Sequence, residues 1–145
     1  MTTIDEITAL ARDEQYLAVI ATLRADATIQ SSLVNAGFTV HPLTGEQALA
    51  FVTYGPVKLS NLRARPQIAV TFRAGWRWAT VEGRAQLIGP NDPVDTIDPD
   101  RLRLLLRDVF INAGGTHDDW DAYDRVMVEQ GRTAVFVTPT RMYSN

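Results

Sequence analysis

Residues 48–72 read ALAFVTYGPVKLSNLRARPQIAVTF and contain two apolar runs separated by a short polar segment. The run 48–54 and the run 67–74 are rich in strand-forming residues. Between them, Pro56 and residues 57–64 fit one short helical segment that ends at Pro66, because proline starts a helix well and disfavours helical backbone before it. The segment contains Lys58, the only lysine in a chain whose fourteen basic residues are otherwise all arginines.

The sequence on both sides of this segment predicts more strands than helices. Thr3 and Glu6 have the spacing of a capping box and begin a helix over 3–13. The remaining predicted strands lie at 17–24, 28–40, 77–89 and 133–139, and the remaining helices at 100–113, capped by Asp100, and 119–130. Six strands with early hairpins and late helices favour a mainly β fold, an antiparallel barrel with helical additions, over a doubly wound sheet.

Length and composition exclude several classes of protein. A chain of 145 residues fits one domain, 1–145. The absence of cysteine excludes disulfides, thiolate zinc sites, iron–sulfur clusters and a thiol nucleophile. Only His41 and His117 could supply imidazole ligands, so no metal site is predicted. The N-terminus resembles neither a signal peptide nor a membrane span, which makes a cytoplasmic protein without membrane contact the expectation. His41 precedes a proline in a turn, and we expect it at the surface.

Charge is distributed unevenly along the chain. Residues 47–81 contain five basic residues and no acid, whereas residues 92–129 contain ten acids and four arginines. This asymmetry favours an anion-binding middle segment, with arginines scattered over exposed strand faces as the alternative. Nucleic-acid binding is disfavoured because the isoelectric point is about 5.3 and no recognition module is present.

Lys58 is the main candidate for binding a phosphate group. A lysine in a polar turn near Thr53 and Asn61 supplies charge and hydrogen-bond donors at one end of a short helix. The alternative is an ordinary solvated lysine. Glycine-rich nucleotide motifs and the G-x-S-x-G elbow are absent, and no motif identifies a general base. Catalytic residues are therefore unknown from the sequence.

Three stretches together resemble a known family: residues 48–72, residues 76–89 (WRWATVEGRAQLIG) and residues 117–145 at the C-terminus. They are similar to the flavin and deazaflavin split-barrel oxidoreductases of the pyridoxamine 5′-phosphate oxidase-like superfamily, and within it to the actinobacterial branch that uses coenzyme F420. The resemblance extends from about residue 5 to the end. It implies a six-stranded antiparallel split β-barrel of the FMN-binding type, assembled as a homodimer with two cofactor sites at the subunit interface.

The resemblance also implies which residues contact the cofactor. Polar residues of the strand 28–36 would line its ring system: Gln30, Ser31, Ser32 and Asn35. The phosphate would be bound by Thr53, Lys58 and Asn61. The later hairpin would contribute Arg77 and Trp78, and the partner subunit would contribute Arg141 and Tyr143.

The function that follows is hydride transfer from reduced F420 to an unsaturated small molecule, in which the cofactor supplies the chemistry and the protein supplies orientation and shelter from water. One alternative is an oxidoreductase of the same fold that uses flavin mononucleotide (FMN). Another is a protein that binds or stores F420 without turnover. F420 has an anionic polyglutamate tail, and the acid-free stretch offers Arg63, Arg65 and Arg73 to it.

Overall fold

The computed structural model describes all 145 residues and contains seven strands and four helices. The strands are β1 (Leu17–Leu23), β2 (Ile29–Asn35), β3 (Gly37–Val40), β4 (Gln47–Thr53), β5 (Gln67–Ala74), β6 (Arg77–Ile88) and β7 (Thr133–Ser144). The helices are α1 (Ile4–Asp13), α2 (Pro56–Ala64), α3 (Pro99–Asn112) and α4 (Trp120–Glu129). The mainly β class with helical additions is confirmed, and the fold is consistent with a split barrel.

The prediction of six strands was wrong, because the run 28–40 forms two strands. Residues before Ala36 pair with β1, and residues after it pair with β4. At the break, the Ala36 N–H donates to the carbonyl of Tyr16 at 2.9 Å. The strands are all antiparallel in the order β2-β1-β5-β6-β7-β4-β3, so β2 and β3 are the two ends of one sheet. The sheet is therefore open between them and is not a closed barrel.

The last strand is longer than the predicted 133–139. It pairs with β4 through Val137 and with β6 through Ser144. A bulge between Glu82 and Gly83 shifts its register. A Cβ at Gly83 would lie 2.2 Å from the carbonyl oxygen of Thr138, so only glycine permits this close approach. The bulge lets β7 continue along the sheet up to the C-terminus.

The helix boundaries follow local signals in the sequence. Thr3 and Glu6 form the predicted capping box of α1. The cap of α3 is Asp98 and not Asp100, since Pro99 occupies the first turn, where a missing N–H has no cost. Asp119 caps α4 by accepting a bond from the Ala122 N–H. None of the four helices combines the length and the apolar character needed to cross a bilayer.

Apolar side chains fill both faces of β4 and β7. On one face, Leu49, Phe51 and Val135 join α1, α2, β1, β5 and β6 in the larger core. On the other face, Ala50 and Phe136 pack with α3 and α4 in a smaller core. Val109 of α3 and Tyr123 of α4 also line a cavity with Thr53 at the end of β4, where the chain enters α2.

His41 is 3% exposed, which corrects the prediction that it lies at the surface. Its ring packs 5.1 Å from the ring of Phe136, and its Nδ1 accepts a bond from the Leu43 N–H at 3.1 Å. Burial lowers the pKa of His41 below its ordinary value of 6.5, against a smaller opposite effect of a hydrogen bond with Gln86. The turn that begins at His41 therefore folds its imidazole under the sheet.

The buried imidazole predicts a loss of stability in mild acid. The unfolded chain binds a proton near pH 6.5 and the folded chain only at lower pH, so this stability is present above pH 6.5 and is lost as the pH falls through the folded pKa. The slope is at most about 1.4 kcal/mol per pH unit. Denaturant unfolding between pH 7.5 and 5 should show a flatter pH dependence of the free energy of unfolding in His41→Gln than in wild type. Equal slopes of the free energy of unfolding against pH in wild type and His41→Gln would contradict this prediction.

Candidate functional site

A cavity of about 1020 Å³ opens where the end of β4 meets the N-terminus of α2. The ends of β2 and β4 form one wall, and the segment that follows α3 forms another. Side chains of α4 and of the residue before β7 complete it. The polar or charged side chains in its lining are Gln15, Asn35, Thr53, Tyr54, Lys58, Thr116, His117, Tyr123 and Arg132. We call this the first cavity.

The first cavity contains two cationic side chains and no acidic one. Lys58 and Arg132 both line it, and none of its nineteen residues is an aspartate or glutamate. Neither cation forms an ion pair with a carboxylate. Burial, followed by the charge of Arg132, lowers the pKa of Lys58 below its ordinary value of 10.5. Two half-buried, uncompensated cations form a site that an anion would stabilise.

The backbone around Gly55 leaves room for the lysine ammonium. A Cβ at Gly55 would lie 3.1 Å from Cε of Lys58, 3.7 Å from its Nζ and 3.7 Å from Oγ1 of Thr53. The lysine side chain therefore folds back over the glycine, near the threonine hydroxyl. Gly55 is also the N-cap of α2 and makes no side-chain cap, so the positive end of the helix opens onto the cavity.

Arg132 is oriented by an aromatic ring. Its guanidinium carbon lies 4.0 Å from the centroid of the Tyr54 ring, and its Nε donates to Oε1 of Gln130 at 2.8 Å. Burial lowers the pKa of Arg132, although a guanidinium stays charged at physiological pH. The remaining guanidinium N–H groups are available to a planar or tetrahedral anion.

Two further polar groups of the cavity have defined roles. The Nδ1 of His117 accepts a bond from the Asp119 N–H at 3.0 Å, so the neutral imidazole has its proton on Nε2. The hydroxyl of Tyr123 donates to the carbonyl of Leu106 at 3.0 Å and is buried, and burial raises its pKa to about 12. Tyr123 is thus a fixed wall, whereas Nε2 of His117 is a free hydrogen-bond donor.

The structure brings only some of the predicted site residues into this cavity. Asn35, Thr53 and Lys58 line it. Asn61, three residues after Lys58, is buried, and its Nδ2 donates to Oγ1 of Thr22 at 3.0 Å. Thr22 in turn donates to Oε1 of Gln30 at 3.3 Å. Ser32 lies on the same inward side of β2, and its buried Oγ has no hydrogen-bond partner. Gln30, Ser32 and Asn61 therefore belong to the interior between β1, β2 and α2.

The other predicted residues lie on a different surface. Cross-strand pairs place four of them on the outward side of the sheet that comprises β2, β1, β5, β6 and the last part of β7: Ser31, Trp78, Arg141 and Tyr143. We call this surface the outer face. The hydroxyl of Tyr143 is bound to Glu82 there, and Trp78 packs edge to face on Tyr143. Arg77 is exposed at the start of β6, with NH1 4.0 Å from a carboxylate oxygen of Asp13.

The arginines assigned to the cofactor tail are partly engaged. Arg63 forms a bidentate ion pair with Asp92 at 2.8 and 2.6 Å, so its charge is compensated, which counts against the predicted role in tail binding. Arg65 donates from Nε to the carbonyl of Leu23, and Arg73 donates to the carbonyl of Gly75. Sequence reasoning did not identify Arg132 as a site residue. The only signal for it is nonlocal, because the pairing of Thr53 with Thr133 places residue 132 beside Tyr54.

The open antiparallel sheet, with an acid-free cavity at the N-terminus of α2, is consistent with the split-barrel class of proteins. Residues 4–105, more than two thirds of the chain, match the family model for pyridoxamine 5′-phosphate oxidase. The chain therefore belongs to this family, within a superfamily of flavin-binding oxidoreductases. α4, β7 and Arg132 lie outside the matched region.

Solved structures show the same fold. A conserved hypothetical protein of Mycobacterium tuberculosis aligns with a TM-score of 0.68 at 18% identity, covering 99% of this chain and 84% of that one. An F420 reductase aligns with a TM-score of 0.59 at 19% identity, covering 89% and 90%. A protein related to general stress protein 26 from Clostridium acetobutylicum aligns with a TM-score of 0.62 at 10% identity, covering 98% and 87%. At these identities the likeness concerns the fold alone.

Proposed function

We propose that this protein is an F420-dependent reductase that delivers hydride to an unsaturated small molecule. The main supporting observation is the first cavity, in which Lys58 and Arg132 face no acid. The family supports a cofactor with an isoalloxazine-like ring and a phosphate. The F420 reductase among the structural neighbours supports F420 as that cofactor. F420 and FMN both have such a ring and a phosphate.

The residues of the first cavity fit a phosphate-bearing cofactor. Lys58, the Thr53 hydroxyl and the N-terminus of α2 would bind the phosphate, and Arg132 would add a planar set of donors. The volume of about 1020 Å³ is at the upper end of the range that small-molecule sites occupy. The bound cofactor would supply the hydride, and water would supply the proton that completes the reduction. The Nε2–H of His117 would hydrogen-bond a carbonyl or nitro oxygen of the substrate and orient it.

We also propose that the protein is a cytoplasmic homodimer. It would bind neither nucleic acid nor a membrane. The outer face exposes Ile29 (63%) and Leu33 (61%), with Val19 beside Leu33. Ser31, Arg141 and Tyr143 lie on the same face and away from the chain's own cavity. A second copy docked on this face would cover the apolar side chains. Ser31, Arg141 and Tyr143 would then lie near the cofactor of that second copy.

An FMN-dependent oxidoreductase is the second candidate. The bidentate pair of Arg63 with Asp92 favours it, because this pair removes one of the cations that would attract the tail of F420. Lys58 and Arg132 do not discriminate, since both cofactors have a phosphate. Arg65 and Arg73 keep a net charge for the tail, because each of them bonds only to a carbonyl.

Side-by-side titration of F420 and FMN against the apoprotein tests the proposal. We expect F420 to bind more tightly, and its affinity to fall with added salt, since exposed charges are screened over about 8 Å at physiological ionic strength. Tighter binding of FMN would favour the second candidate, and binding of neither would contradict both. Oxidation of reduced F420 by 2-cyclohexen-1-one and related enones then separates a reductase from a protein that only stores the cofactor.

A further inference from the structure

A second cavity, of about 490 Å³, lies between the segment that follows β6 and the helices α3 and α4. Its walls are largely aliphatic: Ile88, Pro90, Pro93, Val94, Ile97, Pro99, Leu102, Leu106, Met127 and Val128. The volume is within the range of about 300–1,000 Å³ that small-molecule sites occupy. Nothing in the proposed reductase uses this cavity.

Of the three charged residues that line the second cavity, Arg103 and Asp124 are paired with each other, and Arg132 has no carboxylate partner. Asp124 lines it, but Arg107 and Arg103 both bind that carboxylate, and the bonds of Arg107 hold the pKa of Asp124 below its ordinary value. Arg103 is also paired with Asp100 at 2.9 Å. The guanidinium of Arg132 lies over Tyr54, which lines the first cavity and not this one. An ionic ligand would lose its hydration here beside mostly aliphatic walls, whereas an uncharged apolar ligand has no charge to desolvate.

The shape of the cavity is largely fixed in the free protein. Two prolines, Pro90 and Pro93, restrict the backbone of its loop wall, and two isolated bridges, Gly89 with Asp92 and Val94 with Ile97, close that wall on itself. A preformed apolar cavity binds a ligand without first ordering a loop, and this lowers the entropic cost of binding. The wall toward the first cavity is thin, since Met127 and Arg132 line both.

We propose that the second cavity is a binding site for an uncharged, apolar small molecule, separate from the cofactor site. The ligand class is a compact aromatic or branched aliphatic body without an ionised group. The largely aliphatic lining and the pairing of Arg103 with Asp124 disfavour an ionised ligand, and the volume selects a small molecule.

The test uses two dyes with the same aromatic frame. N-phenyl-1-naphthylamine is uncharged, and 1-anilinonaphthalene-8-sulfonate is its anionic counterpart. We expect the uncharged dye to bind wild type saturably with one site per chain, and the sulfonate to displace it poorly. Val128→Asp should lower the affinity for the uncharged dye at least about fivefold, because the new carboxylate loses solvation when the ligand covers it. Val128 is 81% exposed, so the substitution leaves the core intact.

Val126→Asp is the matched control, since it makes the same change on the same helix at a residue that lines neither cavity. It should bind the uncharged dye within about twofold of wild type, as expected of a surface substitution. Melting temperatures of both variants show that they are folded. The proposal is wrong if wild type binds no uncharged dye saturably, if Val128→Asp binds it as well as wild type, or if the sulfonate competes on equal terms.

Discussion

Replacing Lys58 by alanine is expected to lower the affinity for F420 or FMN about ten- to hundredfold, since a hydrogen bond to a charged group contributes about 1.5–3 kcal/mol. The ammonium lies in a cavity with no acid, so its charge is not engaged elsewhere. The melting temperature should change little, because Lys58 is only half-buried and its removal opens no core cavity. Cofactor fluorescence titration measures the affinity.

Lys58→Arg separates the effects of the shape and the titration of the Lys58 side chain from the effect of its positive charge. Lys58→Arg keeps the charge but is bulkier, and we expect it to bind several-fold worse than wild type near neutral pH. Because burial and Arg132 lower the pKa of Lys58, the affinity of wild type should fall as the pH rises toward 10.5, and should do so earlier than for an ordinary lysine. Lys58→Arg should lack this fall.

Arg125→Ala serves as the control, because Arg125 is exposed on α4 and does not line either cavity. It should bind the cofactor as wild type does. If Lys58→Ala retains wild-type affinity at an unchanged melting temperature, the phosphate lies elsewhere and the single lysine is an ordinary surface residue.

Features set by neighbouring residues were predictable. The capping box at Thr3 and Glu6 starts α1, and Pro56 and Pro66 delimit α2 within a residue or two. Positive backbone φ at Gly75 forms the hairpin between β5 and β6. The acid-free stretch 47–81 contributes Thr53 and Lys58 to the acid-free cavity, whereas its four arginines do not line it.

Features set by strand pairing were not predictable. The run 28–40 has strand-forming character throughout, and only the bond from Ala36 to Tyr16 shows where the chain leaves one end of the sheet for the other. Arg132 enters the cavity because β4 pairs with β7, two strands that are far apart in sequence. His41 is buried because α3, α4 and β7 build a second core, which its own turn sequence does not indicate.

The second large expected effect is on the oligomeric state: Val19→Glu, a substitution on the outer face, should convert a homodimer into a monomer. Val19 is 49% exposed and is the second residue of a cross-strand row that runs through Leu33, Val19, Thr71, Thr80 and Tyr143. A two-fold interface would bury this residue twice. An uncompensated buried charge costs about 3–5 kcal/mol, which raises the dissociation constant at least about a hundredfold. Light scattering at micromolar concentration should give twice the chain mass of 16.1 kDa for wild type and one chain mass for the variant.

Val40→Glu is the matched control, because Val40 is similarly exposed but lies on β3, at the other end of the sheet. It should remain dimeric, and a single chain mass for wild type would contradict the dimer itself. The monomeric variant also tests whether the two surfaces form one site. Arg141 and Tyr143 lie on the outer face and not in the chain's own cavity, so they reach a cofactor only across a dimer. Val19→Glu should therefore bind cofactor more weakly than Val40→Glu, although Lys58 and Arg132 are intact in both. Equal affinities would mean that each chain binds its cofactor alone.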